Sequence, residues 1–166
     1  MDAAAVQRGL DRVKGPLAKR VADGKMAQAD LDSLLAHLKP ETDLAKAVAN
    51  ADLVVEAVFE DLKVKQDLFA RLDKLAPAAT ILATNTSSLS ITEMQTALSK
   101  PELFAGMHFF NPVPLMKLVE VVKTVTTSEA AFQRAFDFAR ALGKEPIRAK
   151  DNSGFVVNLL LVPYLI

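Results

Sequence analysis

Valine-rich apolar runs alternate with amphipathic helical segments between residues 52 and 150, and this predicts an α/β fold. The helical segments are long enough to serve as crossovers, which implies a mainly parallel sheet covered by helices on both faces. A composition of 51% hydrophobic and 24% charged residues supports a packed globular core and argues against disorder.

The first segment, residues 3 to 22, carries Val6, Leu10, Val13, Leu17 and Val21 at spacings of three and four, which predicts one helical face. Gly15-Pro16 inside it predicts a kink or break. A second helix is expected over 27 to 38, with Leu31, Leu34, Leu35 and Leu38 on one face, Asp23 or Asp30 as its N-cap, and Pro40 ending it. Residues 52 to 58 form an apolar run suited to a strand buried on both faces. An amphipathic helix follows with Leu62, Leu68, Phe69, Leu72 and Leu75 inward, stopped by Pro77. Residues 80 to 84 read as a strand, 85 to 88 as a polar turn, and 91 to 98 as a helix. Two more strands are expected over 103 to 110 and 117 to 123. Residues 128 to 142 predict a helix with Thr126 and Glu129 as a capping box and Gly143 at its C-terminal cap. A strand over 146 to 149 and a helix from Gly154 complete the pattern.

Function classes fall away on composition. Lysine plus arginine and aspartate plus glutamate number 20 each, so the chain lacks the basic excess of a nucleic-acid binder. With no cysteine, two histidines and no HExxH pattern, thiolate chemistry is absent and a metal site is not expected. The most apolar stretch, FVVNLLLVPYLI, is far shorter than the roughly 20 residues of a membrane helix, so no membrane partner is expected. The opening residues lack the apolar core of a signal peptide, and a cytoplasmic location is the expectation.

Ligands of open parallel sheets bind beyond the carboxyl ends of the strands. Three polar clusters follow predicted strands: Glu60 to Lys65, Asn85 to Ser88, and His108 to Asn111. Each also has a structural reading, Asp61 and the Asn85 turn as helix caps and His108 as a core histidine. Glu120 is an acid in the apolar run Val119-Glu120-Val121-Val122. It either meets a partner such as His108, forming a general-base pair, or faces solvent through strand alternation. Spacing leaves that choice open.

The blocks DLVVEAVFE, NTSSL, GMHFFNPVP, LVEVV and DNSGFVVN, in this order, resemble the signatures of the 3-hydroxyacyl-CoA dehydrogenase family. The resemblance spans the whole chain and is strongest from Asp52 onward. It implies hydride transfer between NAD and the 3-hydroxy carbon of an acyl-CoA, with NADP left open. It implies His108 as general base and Glu120 as its carboxylate partner. Ser87 and Asn158 would hold the substrate, while Val58, Phe59, Glu60, Lys65, Ser87 and Asn111 would contact the cofactor. A homodimer is implied for the full-length enzyme.

The chain has six glycines but no Gly-x-Gly-x-x-Gly loop. The resemblance therefore implies an incomplete doubly wound, Rossmann-like sheet without its first strand–helix–strand unit. Residues 1–153 would be a partial dinucleotide-binding domain, and 154–166 the start of a helix leading to a helical second domain. The chain alone is then expected to be inactive. The alternatives are a non-catalytic relative of the crystallin kind and a self-associating fragment whose apolar end, Leu159 to Ile166, lacks a partner surface.

Overall fold

A computed structural model describes residues 2–164 of the chain. The described residues up to Ala47 form one compact unit and those from Val48 a second. Leu165 and Ile166, which belong to the apolar chain end, lie outside the described residues.

In the first unit, α1 (Ala3–Ala22) starts where the Asp2 side chain accepts from the Ala5 N–H at 2.7 Å. It runs unbroken through Pro16, so of the expected kink or break the break does not occur. Both Arg12 and Pro16 are exposed, so the carbonyl that loses its proline partner meets solvent rather than protein. Of the apolar face read from spacing, Val6, Leu10, Leu17 and Val21 are half-buried and Val13 is exposed. The next helix, α2 (Gln28–Ala36), is capped by neither predicted aspartate. Ala27 occupies the N-cap without a side-chain bond, and Asp30 sits in the first turn, where its charge favours the helix dipole. A five-residue helix that the pattern does not reveal, α3 (Leu44–Val48), runs across the boundary between the units.

The second unit is a five-stranded sheet in the order β1-β2-β3-β4-β5. Its strands are β1 (Leu53–Glu56), β2 (Ile81–Thr84), β3 (Phe104–Phe109), β4 (Leu118–Lys123) and β5 (Glu145–Lys150). All pairings are parallel except β3 with β4, whose short connection permits a return beside the preceding strand. The expectation for β1 is burial on both faces, but it is an edge in this sheet and Val55 remains 38% exposed.

Strand alternation sorts the core into two layers. Ala83, Met107, Val119 and Val121 face α6 (Glu129–Ala141) and pack on its Phe132, Ala135 and Ala139. The other face meets α4 (Leu62–Leu75) and α5 (Ile91–Gln95); there Phe69 and Phe104 stack edge to face at 4.7 Å. Gly106 lies in this layer, where an added Cβ would collide with Ile91 Cδ1 and stand 2.7 Å from Val122 Cβ. The helix α5 can approach the sheet only because that side chain is missing.

The capping details differ from the pattern. Ser128 caps α6 by accepting from the Ala131 N–H at 3.2 Å, while Thr126 donates to Gln95 instead. Gly143, at φ +72°, ends the helix as expected. Glu129 is free to take Lys123 and Arg148, each at 2.6 Å, and the Arg148 guanidinium lies 4.0 Å above the Phe132 ring. The last helix, α7 (Val157–Leu161), starts three residues later than expected. Gly154 at φ +75° and Phe155 at φ +52° are left-handed and cannot belong to it.

This packing generates two testable outcomes. Gly106→Ala should lower stability by about 1–3 kcal/mol, the usual cost of overpacking a filled core, and denaturant unfolding measures it. An unchanged midpoint would mean that α5 does not rest on the sheet there. The second concerns Glu129, whose carboxyl is pulled from its ordinary 4.5 to about 2 by hydrogen bonds from Arg148 and then Lys123. A depressed folded value stabilises the fold above the unfolded value and stops doing so as pH falls through the folded one. The stability gap between wild type and Glu129→Gln should therefore be constant above pH 4.5 and close towards pH 2.

Candidate active site

Beyond Gly106 on the α4/α5 face, β3 carries His108 directly opposite Glu120 of β4. Alternation along β4 sends Val119 and Val121 to the α6 layer, so Glu120 turns to the same face as His108. It is 0% exposed, and the solvent-facing alternative is thereby removed. His108 Nδ1–H donates to Glu120 Oε2 at 2.7 Å. The other oxygen, Oε1, accepts the backbone N–H groups of Val156 and Val157, both at 2.9 Å. With Nδ1–H committed to the carboxylate, Nε2 is the basic nitrogen, and it has no hydrogen-bond partner among the described residues. The Phe110 and Phe155 rings flank the imidazole, with centroids at 4.4 and 5.6 Å.

The turn at Asn152–Val156 aims those two amides. Gly154 is required there, since a Cβ would meet Leu159 N at 3.0 Å and its φ is positive. Phe155 holds a left-handed φ of +52° that a bulky residue adopts only when its surroundings impose it. Asp151 anchors the same turn to α5 by accepting the N–H groups of Ile91 and Thr92 at 3.1 and 2.7 Å.

The turn after β2 is built into the same network. Asn85 Oδ1 accepts the Phe109 N–H at 2.8 Å, and Asn158 Nδ2 donates to the Ser87 carbonyl at 3.1 Å. Glu60 Oε1 accepts the Thr86 hydroxyl and the N–H groups of Ser87 and Ser88. Burial works to raise the Glu60 carboxyl, but the Thr86 and Ser87 hydrogen bonds and the Lys65 charge outweigh it and hold it below the usual range. The structure thus joins Glu60, Ser87, Asn158, Glu120 and His108 through one chain of bonded groups and backbone.

Other candidates sit differently. Val58 is half-buried with its N–H on Glu56, Phe59 is 85% exposed, and Asn111 is exposed at the start of the β3–β4 connection. Lys65, expected at the cofactor, is 1% exposed, with its ammonium 2.7 Å from Glu56 and 3.3 Å from Glu60. Two polar residues at the site are not singled out by the sequence pattern, Glu56 and Asp151, while Asn85 opens one of the three polar clusters. Glu56 carries the signal that marks Glu120, an acid alone in an apolar strand.

The chain is an α/β domain with a buried histidine–carboxylate pair near the strand ends of a mainly parallel sheet, an arrangement able to accept and return a proton. The family model described as 3-hydroxyacyl-CoA dehydrogenase, NAD binding domain, matches residues 1–152. A rat protein named hydroxyacyl-coenzyme A dehydrogenase, mitochondrial, is 49% identical over 162 residues, covering 96% of this chain and 52% of its own. A 3-hydroxybutyryl-CoA dehydrogenase from Mycobacterium tuberculosis is 45% identical over 166 residues, covering 98% of this chain and 57% of its own. The crystal structure of M. tuberculosis FadB2 superposes with a TM-score of 0.94 at 43% identity, covering 99% of this chain and 58% of that one. The chain belongs to the 3-hydroxyacyl-CoA dehydrogenase family, and NAD is the cofactor named for its domain. It spans about half the length of the curated relatives it matches. No helix among the described residues is long and apolar enough to cross a membrane.

Glu120 cannot be replaced without loss. Glu120→Leu removes both acceptor oxygens, so the His108 Nδ1–H and the Val156 and Val157 amides are left without an acceptor. Stability should fall by about 1–3 kcal/mol in denaturant unfolding. A change inside about 0.5 kcal/mol, the range of ordinary surface substitutions, would contradict the arrangement.

Proposed function

We propose that this chain supplies the acid–base half of an NAD-dependent oxidation of a 3-hydroxyacyl-CoA to the 3-oxoacyl-CoA. The single observation that carries the reading is the buried His108–Glu120 pair at 2.7 Å, in a chain of this family. When bound, NAD supplies the hydride acceptor. His108 Nε2 takes the proton of the 3-hydroxyl, and Glu120 keeps Nδ1 protonated and offsets the positive charge that then forms on the ring. Ser87 and Asn158, tied to each other, present polar groups to the substrate oxygens, and the Phe110 and Phe155 rings exclude water around the imidazole.

The residues at hand fit one half of the dinucleotide. Ser87, Glu60, Phe59 and Asn111 are exposed beyond the strand ends, where a ribose and a nicotinamide amide can be met. Lys65 is buried and reaches such a group only through Glu60. The sequence holds no glycine-rich loop to cradle a pyrophosphate with backbone N–H groups. By itself the chain is therefore proposed to bind NAD weakly and to turn over little.

The test uses two proteins: the chain alone, and a chimera in which it replaces the matching half of the M. tuberculosis 3-hydroxybutyryl-CoA dehydrogenase. The chimera should form NADH from 3-hydroxybutyryl-CoA, and His108→Gln should lower its kcat at least about 10²-fold. The chain alone should show little NADH formation and no micromolar NAD binding by calorimetry. An unchanged kcat in the His108→Gln chimera overturns the assignment of the base.

A further inference from the structure

Behind the Ser87 turn, two carboxylates and one ammonium meet, and the chemistry above makes no use of the deepest of them. Glu56 closes β1 and is 4% exposed. A buried acid persists only where its oxygens are met, and here each one is. Oε1 accepts the Val58 N–H at 2.6 Å and the Lys65 ammonium at 2.7 Å, while Oε2 accepts the Thr84 hydroxyl at 2.7 Å. The same ammonium reaches Glu60 Oε2 at 3.3 Å. Glu60 in turn receives the N–H groups of Ser87 and Ser88 on its other oxygen. A line of charge and hydrogen bonds thus leads from β1, through α4, to the turn that carries Ser87.

Stability alone is a poor account of this cluster. A buried ion pair seldom gains over apolar side chains of similar volume, because both ions give up their hydration. What an apolar replacement cannot do is hold Glu60 in one orientation. Lys65 stands between two acids, so its position depends on both, and Glu56 is the buried one, held independently of Lys65 by the Val58 N–H and the Thr84 hydroxyl.

We propose that Glu56 is a positioning residue for the substrate-facing turn: through Lys65 it holds Glu60, and Glu60 holds the backbone of Ser87 and Ser88 in place. The role of Ser87 rests on the dehydrogenase reading given above; the mechanical link does not.

The experiment is amide hydrogen exchange on the chain, followed by kinetics in the chimera. Glu56→Gln removes the charge that anchors Lys65. Exchange at Ser87 and Ser88 should accelerate at least about 10-fold, while Val156 and Val157, held by Glu120, keep their rates. In the chimera kcat should fall at least about 10-fold, with a smaller change in KM for the acyl-CoA. Thr127→Val removes a buried hydroxyl that donates to the Phe104 carbonyl at the start of β3, away from the cluster. It should lower Tm and leave Ser87 and Ser88 unmoved, separating general destabilisation from positioning. Should Glu56→Gln fail to fold, Glu56→Asp keeps the charge but withdraws the carboxylate, and it should accelerate the same two amides. Unchanged exchange at Ser87 and Ser88 in a folded Glu56 variant, or equal acceleration in Thr127→Val, overturns the proposal. An inactive chimera with the exchange result intact would instead count against the dehydrogenase reading.

Discussion

The carboxylate of Glu120 is the point on which the site turns. It is fully buried, and three N–H donors from two separate segments converge on it: His108 from β3, and Val156 and Val157 from the turn before α7. A charge in such a place is tolerated only when its oxygens are occupied, so the fold must bring both segments to it or bear an unpaired buried acid. The consequences spread outward. Phe155 is held in a left-handed conformation, and Asp151 ties the turn to α5. Asn158 arrives beside Ser87 because the helix that carries it begins where Glu120 caps it.

A second buried acid, Glu56 at the end of the edge strand β1, has a comparable role. Glu56 and Glu120 each take three donors, and each is linked to the Ser87 turn from a different side. Between them they fix the turn without contributing atoms that would face a ligand. This division suits chemistry that needs polar groups held to within fractions of an ångström: the exposed residues are few, and rigid neighbours hold them.

Much of this scaffold is legible in the amino-acid pattern. Each strand falls within about two residues of its expected place, because short apolar runs between segments of helical periodicity fit little else. The departures have physical causes. The helix α3 is only five residues long, too short for periodicity to show. At the start of α6, Thr126 and Ser128 are equally good caps locally, and a distant acceptor on Gln95 decides between them. The pairing of His108 with Glu120 depends on an antiparallel register that spacing does not encode. The family resemblance makes Lys65 a cofactor contact, and it also shares the 65, 69, 72 spacing with Phe69 and Leu72, the buried face of α4. Read by that spacing, its burial and hence its need for Glu56 are both available.

The antiparallel register of β3 and β4 has a further consequence for how this domain can vary. His108 and Glu120 face each other as one rung of a ladder, and the segment from Phe110 to Lys117 closes one end of it. Residues gained or lost in that connecting loop leave the rung intact, because backbone hydrogen bonds within the ladder set its spacing. A single residue gained inside either strand does the opposite: every side chain beyond it changes face, and the acid is carried into the layer occupied by Phe132. Variation in this region should therefore collect at the exposed end of the loop, Leu115 to Lys117, beyond the Phe110 ring that packs on His108, while the strands on either side keep their length.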